Sequence, residues 1–150
     1  MEEACIFCQI IHGREPASFV YADEAIVAFM DLVPLNPGHT LVVPRRHAAG
    51  LSELDPEDGA RMFKVGHQLA VALQATGLRC DGVNLRVNDG EAAGQDVFHV
   101  HLHVIPRTHG DGFGGRRPPG YGAEAPREEL DVIASRIKAA MVFDSLRTNH

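Results

Sequence analysis

Apolar positions recur along this chain with two periods, and the changes between them mark out the elements. Ser18–Ala22 and Ala25–Met30 are short apolar stretches parted by Asp23-Glu24, which predicts a β-hairpin. Thr40-Leu41-Val42-Val43-Pro44 is a buried-strand pattern, delivered by a loop over Asp31–His39 that carries Pro34, Asn36, Pro37 and Gly38. At Asp55-Pro56-Glu57 the period lengthens: an N-cap side chain and a proline suited to a first turn open a helix. Met62, Gly66, Leu69, Ala70 and Leu73 keep helical spacing, and Gly77 supplies a stop. Gly82–Val87 and Val97–Ile105 return to strand character, with a polar, glycine-bearing loop over Asn88–Gln95 between them. Residues 108–126 form a long loop rich in Gly and Pro. Pro126 then starts a helix over 127–145 with Leu130, Ile133, Ile137 and Met141 on one face, and the tail from Leu146 is expected to fray.

Length and composition narrow the class. The 150 residues, 45% hydrophobic and 23% charged, fit one domain over 1–150 with a packed core. No apolar run approaches the roughly 18–20 residues of a spanning helix. The start Met-Glu-Glu-Ala-Cys lacks the basic and apolar parts of a secretory signal, so a cytoplasmic protein with no membrane partner is expected. A net charge of −6 argues against nucleic acid as a partner. A single nucleotide remains compatible, because a pocket can hold phosphate with local dipoles and a few donors. Three cysteines are too few for a disulfide framework, and the Cys5-x-x-Cys8 pair points instead to metal or redox chemistry.

The most informative segment is Gly94-Gln95-Asp96-Val97-Phe98-His99-Val100-His101-Leu102-His103-Val104-Ile105. On an extended strand successive side chains alternate faces, which puts His99, His101 and His103 on one side and Phe98, Val100, Leu102 and Val104 on the core side. A half-buried strand whose polar face merely happens to be histidine is the bland reading. A metal face built from all three rings is the second, but positions i, i+2 and i+4 on one strand spread too far to reach one ion at about 2.0–2.1 Å. The third reading is a nucleophile with helpers. Imidazole attacks phosphorus through an unprotonated nitrogen, and the other nitrogen must be protonated and held. The central His101 suits that role, and backbone N–H groups of the Gly94–Val97 turn are candidates to hold phosphate oxygens.

These residues carry a resemblance. His99-Val100-His101-Leu102-His103-Val104-Ile105 resembles the His-φ-His-φ-His-φ-φ motif of the histidine triad (HIT) superfamily. Cys5-Ile6-Phe7-Cys8-Gln9-Ile10-Ile11, Phe29-Met30-Asp31, Pro37–His47 and Asn88-Asp89-Gly90 resemble its other segments in order and spacing. Asp111-Gly112-Phe113-Gly114 resembles the stretch downstream of the motif in bacterial members. The resemblance implies an α+β fold, a mostly antiparallel sheet of about five strands with two main helices, and usually a homodimer. It also implies hydrolysis at the α-phosphate of a nucleotide derivative through a covalent nucleotidyl intermediate on His101, with a product such as AMP. His103 would contact the phosphate and assist the leaving group, and His39 would support the proton network. Asp31 would bind ribose hydroxyls, while Asn88, Gly94, Gln95, Asp96 and Val97 would position the phosphates. Asp96 departs from the Ser or Thr of many eukaryotic members: a carboxylate there repels phosphate unless it turns away or meets a leaving-group amine.

Cys5 and Cys8 make half of a tetrahedral zinc site, and His47 and His99 are the natural candidates for the rest. The resemblance agrees, and such a closed site would make residues 1–12 a metal-binding segment and Zn2+ a structural cofactor. An unmetallated reduced pair, or two thiols that simply pack, are the alternatives. Cys80 reads as a bystander, and His12, His67, His109 and His150 as surface residues. Arg107, Arg116 and Arg117 would meet distal phosphates if the 108–126 loop folds back, and are otherwise solvated or paired. Dinucleoside polyphosphates and nucleoside phosphoramidates are both expected substrates. A non-catalytic, nucleotide-binding, zinc-stabilised dimeric adaptor is the rival reading.

Overall fold

The computed structural model describes residues 4–113 and 121–148, with side chains as far as Met141. Arg116, Arg117 and His150 lie outside the described residues. Five strands, β1 (Phe19–Ala22), β2 (Ile26–Met30), β3 (Thr40–Pro44), β4 (Gly82–Val87) and β5 (Leu102–Arg107), form one sheet in the order β1-β2-β3-β5-β4. All four pairings are antiparallel. Among the described residues three α-helices accompany it: α1 (Ile6–Ile11), α2 (Pro56–Leu73) and α3 (Arg127–Thr148). No helix among the described residues is long and apolar enough to cross a membrane.

Every residue of β2 and β3 is buried, because the two faces of the sheet meet different partners. Ile26, Ala28, Met30, Val42, Leu102 and Val104 face a core closed by α2 and α3. Val27, Phe29, Leu41 and Val43 face the other way, onto Phe7, Cys8 and Ile10 of α1. Helix α2 begins as its sequence dictates: Asp55 accepts the Glu57 N–H at 2.9 Å and Pro56 fills the first turn. Its Gly66 faces the sheet where a Cβ would lie 2.6 Å from Leu102 Cδ2, so the glycine allows the helix to settle directly behind the triad. Helix α3 buries Leu130, Ile133 and Ile137 and continues to Thr148, past the point where fraying was expected.

The last strand differs from its sequence reading. Ladder pairing starts at Leu102 rather than Val97, and it continues to Arg107. Upstream, side chains replace the ladder: His99 Nε2 bonds the Pro44 carbonyl at 2.7 Å, and His101 Nδ1 bonds the His99 carbonyl at 2.8 Å. The Val100 N–H goes to Ala48. Pro44, which ends β3, has no N–H with which to extend the pairing. Alternation nevertheless persists, with Val100, Leu102 and Val104 in the core and the three histidines opposite. Phe98 is the exception: it lies before the regular region and is 52% exposed instead of core-facing.

Candidate active site and metal centre

All three triad rings are buried, and they divide between two clusters. The first joins His99 to the N-terminal segment. Cys5 caps α1, with its sulfur accepting the Cys8 N–H at 3.4 Å, so one helical turn brings both sulfurs together. Cys5 Sγ lies 3.4 Å from His99 Nδ1, and Cys8 Sγ lies 3.3 Å from His47 Nδ1 and 3.5 Å from His99 Nδ1. The two imidazole nitrogens are 3.2 Å apart. A tetrahedral zinc bound at ordinary lengths has S···N edges of about 3.5 Å and an N···N edge of about 3.3 Å. The four donors therefore fit the ion. The donation of His99 Nε2–H to Pro44 leaves the Nδ1 lone pair facing the sulfurs, the outer-sphere arrangement that metal-binding histidines need.

The second cluster is a chain of hydrogen bonds. The Leu35 N–H donates to His39 Nδ1 at 3.0 Å, which leaves the proton of a neutral His39 on Nε2. That nitrogen lies 3.0 Å from His103 Nδ1 and 3.4 Å from Asp31 Oδ2. With Nδ1 accepting, His103 carries its own proton on Nε2, and that buried atom has no hydrogen-bond partner among the described residues. Burial, followed by the charges of His103, Arg86 and His101, pushes the His39 pKa down to about 3. Burial and the charges of His101 and Arg86 push His103 down to about 4. Both rings are neutral at pH 7, as the chain requires. Burial raises Asp31 to about 6, against the pull of its hydrogen bond from the Val33 N–H.

His101 sits between the clusters. Its Nδ1–H donates to the His99 carbonyl, so in the neutral ring the lone pair lies on Nε2, 3.5 Å from Asp96 Oδ1. Phe7 and His103 pack edge-on against the ring, at centroid distances of 5.2 and 4.8 Å. Two cavities meet here. One, of about 280 Å³, is lined by His101, Asp31 and apolar side chains including Ile6, Phe7, Phe29 and Leu41. The other, of about 540 Å³, is polar and is lined by His39, Arg86, Asn88 and Gly94, with Asp31, Asp96 and His103 shared between the two.

The remaining sequence candidates divide. Asn88 lies at the polar cavity, its amide 3.5 Å from the Gly94 carbonyl. Val97 lines the apolar one. Gln95 reaches neither. Its side chain accepts from Gly90 and donates to Ala49 and Val97 carbonyls, and its N–H bonds Gly90. These bonds shape the loop. The Gly94 N–H is likewise committed, to Glu91. Asp96 Oδ1 accepts the Val97 N–H at 2.9 Å and lies 3.5 Å from His101 Nε2, so the carboxylate has not turned away. Arg107 is already paired: Asp111 takes it in a two-toothed ion pair and Asn84 holds its other edge. Cys80 packs partly buried against the main core, its sulfur 3.3 Å from the Gly82 carbonyl.

Arg86 went unnoticed in the sequence. On β4 it pairs directly with His103, and the same register line continues through Leu41, Phe29 and Phe19. The only advance signal was its place in Gly82–Val87, two residues before Asn88.

Residues 12–110 match the HIT domain family, and the chain belongs to it. An uncharacterized HIT-like protein of Methanocaldococcus jannaschii is 45% identical over 138 residues, covering 89% of this chain and 98% of that one. The zinc-bound histidine triad family protein of Mycobacterium smegmatis superposes with a TM-score of 0.82 at 39% identity, over 97% of this chain and 99% of that one. A relative named adenylylsulfatase HINT3, from Arabidopsis thaliana, is 39% identical over 112 residues, 74% of this chain and 56% of its own.

Proposed function

We propose that this chain is a hydrolase that cleaves nucleotide derivatives at the α-phosphate through a nucleotidyl adduct on His101. The observation that carries the reading is the orientation of His101: Nδ1 bonds the His99 carbonyl, which turns Nε2 into the apolar cavity beside Asp96 and His103, the residues that also line the polar one. The apolar cavity suits a nucleoside, with its base among Ile6, Phe7 and Phe29; Asp31, which lines the same cavity, would accept from the ribose hydroxyls. Nε2 attacks phosphorus, a P–N bond forms, and the bond to the leaving group breaks with its electron pair; an anhydride releases a stable anion, and an amine leaves after taking up a proton from solvent. The neutral His103 Nε2–H donates a hydrogen bond to the charge that develops there, and His39 holds that tautomer. Water then attacks the adduct, the P–N electron pair returns to Nε2, and a nucleoside monophosphate such as AMP leaves as one proton passes to solvent.

Zinc, where bound, acts structurally in this scheme: Cys5, Cys8, His47 and His99 would hold it and tie α1 to the catalytic segment. Dinucleoside polyphosphates, adenylyl sulfate and nucleoside phosphoramidates all contain the required α-phosphate. We further propose a cytoplasmic homodimer.

Incubation with a nucleotide phosphoramidate labelled in its phosphate, followed by acid-sensitive adduct trapping, tests the reading. Wild type should yield a labelled adduct. His101→Gly should lose at least about a thousandfold in turnover while keeping its nucleotide affinity. Reversible binding with no adduct would instead favour a nucleotide-binding adaptor.

A further inference from the structure

Across the sheet, one register line runs Phe19–Phe29–Leu41–His103–Arg86, from aromatic to apolar to imidazole to guanidinium. Direct cross-strand neighbours project from the same face. The line therefore begins beside the apolar cavity, passes the reacting histidines and ends in a cation. Arg86 lines the polar cavity and not the apolar one. It has no hydrogen bond or ion pair among the described residues, whereas Arg45, Arg61, Arg107 and Arg127 are each held by a partner.

We infer that Arg86 selects the leaving group, favouring substrates whose departing fragment is a phosphate-type anion over those that release a neutral amine. The inference rests on the proposed hydrolysis. His101 lines the apolar cavity and not the polar one, so a group displaced in line away from Nε2 leaves past His103, which lines both, toward the polar cavity and Arg86. When the P–O bond of an anhydride breaks, the electron pair stays on the departing oxygen. That product is a stable anion and needs charge stabilisation more than a proton. The two donors facing it fit this need: the unpartnered His103 Nε2–H and the free guanidinium. Asp31 and Asp96 are the carboxylates at the cavity boundary, and among the described residues Arg86 is the arginine that lines this side. A leaving amine would gain nothing from it.

The test compares two substrates sharing one adenylyl group: diadenosine triphosphate, which releases ADP, and adenosine 5′-phosphoramidate, which releases ammonia. Arg86→Gln should lower kcat/KM for the triphosphate by about ten- to a hundredfold and leave the phosphoramidate within about threefold. Arg86→Lys should recover part of the loss, since it keeps the charge but not the fork. Equal losses on both substrates, or no loss on either, would overturn the inference. Calorimetric affinities for ADP and AMP supply a readout independent of turnover. Wild type should prefer ADP, and Arg86→Gln should abolish the preference. If that difference appears without turnover of either substrate, the anion subsite stands and the hydrolase reading fails. If wild type does not discriminate ADP from AMP, the subsite itself is refuted.

Discussion

His99 and His103 stand four residues apart on one face, yet their surroundings use imidazole in opposite ways. At His99 the ring proton is sent outward to Pro44, and a lone pair is left facing two sulfurs and His47. At His103 the lone pair is consumed by His39, and a proton is left facing the cavity. Distance alone does not separate the two ends, because Asp31, His39 and His103 are also close enough to surround an ion. Hydrogen bonding does. His39 Nδ1 already accepts from Leu35, so metal on Nε2 would require the anionic imidazolate. The role of a histidine is thus set by the group that takes up its other ring nitrogen, a backbone carbonyl at His99 and the His39 ring at His103, and one end becomes a clasp while the other becomes a donor.

Removing metal should break this contrast most visibly. The protein is expected to bind one zinc, and Cys8→Ser or chelation should lower the melting temperature by on the order of 10 °C. Turnover should fall too, because α1 carries Phe7 against both Phe29 and His101. Metal analysis with thermal melts checks both points. Zinc retained in Cys8→Ser but lost in His39→Asn would place the ion at the wrong end.

Substitution at the other cluster should act on chemistry and leave metal alone. His39→Asn is expected to cut kcat by about ten- to a hundredfold with full zinc content, because His103 loses the partner that fixes its tautomer. The same variant tests the pH linkage. A histidine held near 3 when folded, against about 6.5 unfolded, binds fewer protons in the native state between those values. Stability therefore falls as pH drops below about 6.5, and the loss grows toward the folded pKa. Removing His39 should shrink the stability lost between pH 7 and pH 5 by about 1–2 kcal/mol. An unchanged loss in urea titrations of the zinc-loaded proteins would mean that His39 does not titrate as argued.

Much of this arrangement was legible in the sequence, for reasons that can be located. Thr40–Pro44 and Gly82–Val87 were readable because apolar runs bounded by turn residues have little choice of structure. The histidine alternation was readable because burial keeps a period of two even where the ladder is absent. The early start assigned to β5 failed because side-chain bonds from His99 and His101 take the place of strand pairing, which no periodicity reports. Six-residue α1 was invisible as a helix, since its cap is a cysteine and its stability comes from packing under the sheet. Arg86 looked like any solvated strand residue. Only the register with His103 reveals what it faces.

Asp96 gives the smallest effect and the finest test of where the two ends meet. It belongs to neither cluster, and its side chain is 78% exposed, but its carboxylate caps the Val97 N–H beside the nucleophilic nitrogen. That position is where an oxygen of the α-phosphate would be expected, next to a backbone donor. The N–H groups of Gly94 and Gln95 are already committed within the loop, so the Val97 N–H is the one an incoming phosphate can win by displacing a side chain. Substrate must compete with a built-in anion for it. Asp96→Ser removes the charge and keeps a small hydrogen-bonding group, and should lower KM for anionic nucleotides about three- to tenfold with little change in kcat. The gain should shrink as ionic strength rises, since the competing carboxylate is exposed. A higher KM in Asp96→Ser would instead mean that the carboxylate assists binding, and would turn attention to a cationic group on the substrate.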